Sequence, residues 1–178
     1  MEKAAKKVLI LGIGCLLFSD EGFGVRVAQK IQERYRFPDT VSIVDGGVLG
    51  LNLLGVISEA DHLIVIDVVR NNGQPGDMYR LEGEAIPERV RAKNSLHQVD
   101  FLEALTLCQA LEKVPEAVIL GVEPHDIETL SIDLTPSIQN RIDDTIQSVL
   151  AELDRLNVSY RRRNQDVSCD PLENHEYR

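Results

Sequence analysis

The sequence predicts a single α/β domain, a three-layer αβα sandwich on a mostly parallel, twisted sheet. Two observations carry this. Short aliphatic runs alternate along the chain with longer stretches whose apolar residues recur every three or four positions. Strands separated by helices in this way form βαβ units, and right-handed crossovers then lay the strands parallel with helices on both faces. The composition agrees: 43% of the 178 residues are hydrophobic, aromatics are only 4% and tryptophan is absent. Such a chain builds its core from Val, Ile and Leu, as buried parallel sheets do. The length is enough for one compact domain and short for two.

The elements follow in order. Val8–Leu11 is a continuous apolar run closed by Gly12, the pattern of a strand buried on both faces. Gly24–Tyr35 carries Val25, Ala28 and Ile31 at helical spacing with charges between them. After the break at Pro38-Asp39, Val41–Val44 reads as a second strand, ended by Asp45-Gly46-Gly47, and Leu49–Ile57 reads as a compact apolar helix. His62–Val69, HLIVIDVV, is the clearest strand, and its one carboxylate is Asp67 near the carboxyl end. A turn cluster, Asn72-Gly73-Gln74-Pro75-Gly76, precedes an additional strand over Asp77–Leu81. Ser95 and Gln98 have the spacing of a capping box that opens a helix to about Leu111. Ala117–Val122 is a further buried strand. Thr135-Pro136 starts the last helix, with Thr as N-cap and Pro at the first helical position. That helix carries Ile138, Ile142, Ile146, Val149, Leu150 and Leu153 along one face. The folded domain is thus expected to span residues 1–158. Residues 159–178 are polar and aperiodic, contain Arg161-Arg162-Arg163, and are expected to form a disordered tail.

Composition excludes several function classes. The net charge is −10 and the pI about 4.8, with no basic patch before the final residues, so neither nucleic acid nor an anionic membrane surface is an expected partner. Cys15, Cys108 and Cys169 are odd in number and contain no C-x-x-C pair, which fits neither a disulfide framework nor a thiol-rich zinc site. Free thiols suit a reducing cytoplasm. The lysine-bearing start and the apolar run after it superficially resemble a signal peptide. The run lacks a small-residue cleavage site, leads straight into Asp20-Glu21 and is too short to span a bilayer. A cytoplasmic protein is therefore expected.

The first strand leads into Gly12-Ile-Gly14, which invites a dinucleotide-binding reading. The G-x-G-x-x-G fingerprint needs a third glycine where this chain has Leu17, and the helix does not begin directly after the glycines. Asp20 and Glu21 would repel a pyrophosphate, and no G-x-x-x-x-G-K-[ST] occurs. The chain also lacks a G-x-S-x-G elbow and an H-E-x-x-H helix. No basic residue is placed locally to activate Cys15.

Sites on open parallel sheets form beyond the carboxyl ends of the strands. Three residues point to that edge: Glu21 in the loop after the first strand, Asp67 at the end of HLIVID, and His97 in the first turn of the capped helix. A carboxylate inside an apolar strand is costly to bury unpaired. A helix N-terminus favours neutral imidazole, the form that binds metal. Two carboxylates and one imidazole make a mixed oxygen–nitrogen set suited to a borderline divalent ion such as nickel or zinc, with positions left open for a substrate. Spacing alone does not prove that the three converge. Asp20, His62 and His125 are the alternatives; His62 starts its strand, the wrong edge, whereas His125 follows the last strand on the right edge.

These residues resemble the hydrogenase maturation endopeptidases, which process the large subunit of nickel–iron hydrogenases. The family opens with a strand and G-x-G-N-x-L-x-x-D-[DE]-x-x-G; here the run is Gly12-Ile-Gly14-Cys15-Leu16-Leu17-Phe18-Ser19-Asp20-Glu21-Gly22-Phe23-Gly24. The match continues through Asp45-Gly46-Gly47 with Gly50, Asp61–Asp67, Leu96-His97-Gln98, Gly121-Val122-Glu123-Pro124 and Leu134-Thr135-Pro136, covering about residues 7–156. Cys15 stands where the family usually has Asn, and Glu123 where Gln is frequent. The resemblance implies that Glu21, Asp67 and His97 are the catalytic, metal-contacting residues. It also implies that the metal is nickel carried by the substrate, with no permanently bound ion. The activity it implies is removal of a C-terminal extension from the hydrogenase large-subunit precursor once nickel is inserted. That precursor is then the expected partner, and the chain is expected to be a monomer. The rivals are a nickel-binding or chaperone-like assembly protein that does not cut, and a small-molecule binder that uses the glycine turn.

Overall fold

The computed structural model describes residues 6–47, 53–83 and 115–163. Five strands form one sheet: β1 (Val8–Ile13), β3 (Val41–Gly47), β4 (His62–Val68), β5 (Met78–Glu82) and β6 (Glu116–Val122), in the order β3-β1-β4-β6-β5. β3, β1, β4 and β6 run parallel, and β5 closes the β6 edge antiparallel. The helices among the described residues are α1 (Phe23–Arg34), α2 (Leu53–Ser58), α3 (Pro136–Gln139) and α4 (Ile142–Arg155). None of the described helices is long and apolar enough to cross a membrane.

The alternation of strand side chains creates two cores, and hence three layers. Val8 and Ile10 of β1 and Ile64, Ile66 and Val68 of β4 face α1, α3 and α4, meeting Phe23, Val27, Ile31, Ile138, Ile146 and Leu153. Leu9, Leu11 and Ile13 of β1 and Leu63 and Val65 of β4 face the other way, against Ile57 of α2. Asp67 continues the Leu63–Val65 row, so the apolar stripe on that face ends in a carboxylate.

The expected elements are present wherever they fall on described residues, with three differences. β3 runs on through Asp45-Gly46-Gly47 instead of ending before it. The last helix is interrupted after Gln139, where Arg141 N–H bonds Ile138 O at 2.9 Å in a tighter turn. Ile138 and Ile142 both stay in the core across the break, so the apolar spacing does not reveal it. The third is a correction at the carboxyl end. Arg161–Arg162 form β7, which pairs antiparallel with β2 (Tyr35–Arg36), and Tyr160 packs with Tyr35 and Phe37. The folded part thus extends past residue 158, held by an aromatic cluster and backbone pairing that polarity and periodicity do not register. Residues 164–178, the helix expected from Ser95 and His97 itself lie outside the described residues.

Candidate active site

Strand order locates the site. From β1 the chain crosses to β3 on one side, and from β4 its next parallel strand is β6 on the other. The ends of β1 and β4, which are neighbours, are therefore left by connections that part, and such a switch point opens a crevice at the carboxyl edge. Glu21 follows β1 and Asp67 ends β4.

The glycine turn folds the loop back over that edge. Gly14 sits at φ +134°, and a Cβ there would lie 1.7 Å from the carbonyl oxygen of Glu21. Only glycine admits this approach. The loop then tightens: Phe18 N–H bonds Cys15 O at 3.3 Å, Glu21 N–H bonds Phe18 O at 2.9 Å, and Ser19–Gly22 form a 3-10 turn leading into α1. The close helix–strand contact that a dinucleotide fingerprint assigns to its third glycine is made by Gly24. A Cβ at that position would lie 2.1 Å from Ile66 O and 2.4 Å from Ile13 O. α1 is thereby drawn down onto β1 and β4, which fixes Glu21 just before it.

Asp20 anchors the loop from the other side. It is fully buried, and its carboxylate accepts four hydrogen bonds: from His125 N–H and Asp126 N–H at 2.9 Å each, Thr135 N–H at 2.7 Å and the Thr135 hydroxyl at 3.0 Å. Thr135 does precede the helix in extended conformation with Pro136 behind it, as expected. Its hydroxyl, however, serves Asp20 and not its own helix end. Asp20 thus joins the loop after β1 to the loop after β6, and in the sequence it is marked by its adjacency to Glu21 and by the aspartate of the opening motif.

Asp67 is 7% and Glu21 9% exposed. One oxygen of Asp67 accepts the N–H of Val68 at 2.7 Å. Glu123, beyond β6, is also buried and accepts Asn71 N–H at 2.7 Å and the Tyr79 hydroxyl at 2.8 Å. Burial, then this bond and the negative charge of Glu123, push the Tyr79 hydroxyl up to about 12. Asp126 is held down at about 2, chiefly by hydrogen bonds from Thr129 and then from Glu128 N–H. Asp20, Glu21, Asp67 and Glu123 thus gather buried carboxylates at one edge.

The structure therefore brings Glu21 and Asp67 to one edge, while His97 falls outside the described residues. His62 is at the opposite edge, with Nδ1 3.1 Å from Glu116. His125 is on the site edge; its backbone binds Asp20 and the residue is exposed. Cys15 is a partly buried free thiol whose carbonyl helps close the turn.

Comparison with known proteins identifies the chain's relatives. A family model described as hydrogenase maturation protease matches residues 25–152. The hydrogenase expression/formation protein HupD of Bradyrhizobium diazoefficiens is 37% identical over 164 residues, 91% of this chain and 85% of that protein. The hydrogenase 2 maturation protease of Escherichia coli K12 is 37% identical over 149 residues, 83% of this chain and 90% of its own length. Among solved structures, the hydrogenase maturating endopeptidase HybD from E. coli superposes with a TM-score of 0.85 at 34% identity, covering 88% of this chain and 98% of that one.

Proposed function

Since the chain belongs to the hydrogenase maturation protease family, we propose that it cuts the C-terminal extension from a nickel–iron hydrogenase large-subunit precursor after nickel insertion, reading the inserted nickel through Glu21, Asp67 and His97. An endopeptidase role in hydrogenase maturation is what its relatives share. The observation that carries the finer reading is the pair of buried carboxylates at the parted ends of β1 and β4. Carboxylate oxygens with one imidazole suit a borderline divalent ion and leave positions for groups of the substrate. Because the ion arrives on the precursor, the uncut, metal-loaded chain is the species recognised.

Hydrolysis needs the scissile carbonyl polarised, a water deprotonated as its oxygen adds to the carbonyl carbon, and a proton given to the amine as the C–N bond breaks. Glu21 and Asp67 supply two of the ligands that orient the peptide. In this reading a carboxylate not engaged by the ion takes the water's proton and returns it to the departing amine. The reaction belongs in the cytoplasm, with the protein acting as a monomer, in keeping with the free thiol of Cys15.

The test is to incubate the protein with nickel-loaded precursor and follow the large subunit by mass. Loss of a C-terminal peptide is expected, and chelation before nickel loading should prevent it. An unchanged mass overturns the proposal in favour of a non-cutting assembly protein.

A further inference from the structure

The described residues include six large apolar side chains exposed to solvent, and four of them lie together: Leu17 at 56%, Phe18 at 39%, Leu130 at 74% and Ile132 at 63%. They belong to the two loops that Asp20 ties together. Phe18 and Ser131 form a parallel bridge, Ser131 N–H bonds Leu17 O at 3.0 Å, and Ser19 N–H bonds Ser131 O at 2.8 Å. The register sets Leu17 alongside Leu130, and Arg26 of α1 donates to the carbonyl of Ile132. The backbone beneath these side chains is thus fixed before any partner arrives, which lowers the ordering cost of binding. Solvent-exposed apolar residues scattered singly need no explanation, whereas a contiguous cluster marks an interaction surface.

We propose that Leu17, Phe18, Leu130 and Ile132 form the docking surface for an apolar segment of the hydrogenase large-subunit precursor, flanked on that precursor by basic residues. The inference rests on the protease reading above. Two features select this occupant. The first is continuity: Phe18 is followed by Ser19, Asp20 and Glu21, so the strip adjoins the turn that carries Glu21 at the β1–β4 crevice. The second is charge. Glu128 and Asp133 are exposed at the rim and Asp126 remains ionised, against two cations, Arg70, which pairs with Glu128 at 3.8 Å, and Arg26, which donates to Ile132 O, so acidic groups outnumber basic ones there by three to two. A basic flank complements this rim. A second copy of this chain, at net charge −10, would set like charges against each other.

The test is steady-state processing of nickel-loaded precursor by the Leu130→Ser/Ile132→Ser double variant. KM is expected to rise by about 10-fold or more with kcat retained, and the melting curve should stay in place because both side chains are already in water. Val56→Ser is the control. Val56 is 41% exposed but lines a separate groove with Lys7, Thr40, Ser42 and Glu59 at the amino ends of the strands, and its KM should match wild type. If wild type releases no peptide, the protease reading fails. If wild type cuts and the double variant keeps the same KM, the docking surface is wrong. An equal KM rise in Val56→Ser, or a wild-type dimer that the double substitution dissolves without a change in KM, also overturns it.

Discussion

The carboxylate of Asp20 holds Thr135 by two hydrogen bonds, from its N–H at 2.7 Å and its hydroxyl at 3.0 Å. These residues are 115 positions apart in the chain, and the same carboxylate also binds the His125 and Asp126 amides. Removing it strands three backbone donors and leaves a hole at a fully buried position. Asp20→Ala should cost about 3 kcal/mol or more in urea unfolding, and Thr135→Val, which removes only the hydroxyl donor, about 1–2 kcal/mol. Equal losses for the two variants would mean that Asp20 does not join the loops.

Gly14 and Gly83 both have positive φ, at +134° and +58°. They differ in surroundings: a Cβ at Gly83 meets nothing within 4 Å, whereas one at Gly14 falls 1.7 Å from Glu21 O. Gly83→Ala should therefore cost only the backbone term, about 1 kcal/mol. Gly14→Ala must displace the Glu21 backbone, and is expected to cost more than about 3 kcal/mol and to lose processing. Thermal unfolding and the precursor assay read the two effects separately. A Gly14→Ala variant that processes normally would show that the turn does not position Glu21.

What was legible in the sequence is what local pattern encodes. HLIVID reads as a buried strand because its aliphatic run leaves no other economical placement, and Asp67 stands out within it for the same reason. The edge on which Glu21 and Asp67 lie follows from loop position in a parallel sheet. The role of Asp20 as a tie between two loops was not legible, because its partners lie more than a hundred residues away. The close approach of Gly24 escaped because the fingerprint looks for a glycine at a fixed spacing, and this loop spends extra residues before its helix. β2 and β7 are too short for any periodicity, and the pairing that holds Arg161–Arg162 is tertiary.

Glu152 on α4 is bound by Arg80 from β5, at 2.7 Å and 3.1 Å. The Arg80 hydrogen bonds, outweighing burial, hold its carboxyl below the ordinary glutamate range. A depressed folded-state value means that this contribution to stability is full above the unfolded glutamate value and fades as pH falls through the lower folded one. Arg80 is about a third exposed, so screening keeps the effect modest. Glu152→Gln should lose about 1–2 kcal/mol at neutral pH, and the gap from wild type should close in acid. Urea midpoints across that range decide it; a gap that widens in acid would contradict the pairing.

The proposal that Glu21, Asp67 and His97 share one nickel ion makes a prediction about how their losses combine. Residues acting as one unit are non-additive, since after the first is lost there is little left for the second to lose. Glu21→Gln, Asp67→Asn and His97→Ala should each slow processing by about three orders of magnitude or more with the fold intact. Glu21 lies in the turn after β1 and Asp67 within β4, so the two carboxylates are carried by separate backbone segments. The Glu21→Gln/Asp67→Asn double variant should then be no slower than the slower single. Rate losses that multiply would mean that the two carboxylates act on separate steps and do not share the ion. Normal processing by any one single variant would remove that residue from the site.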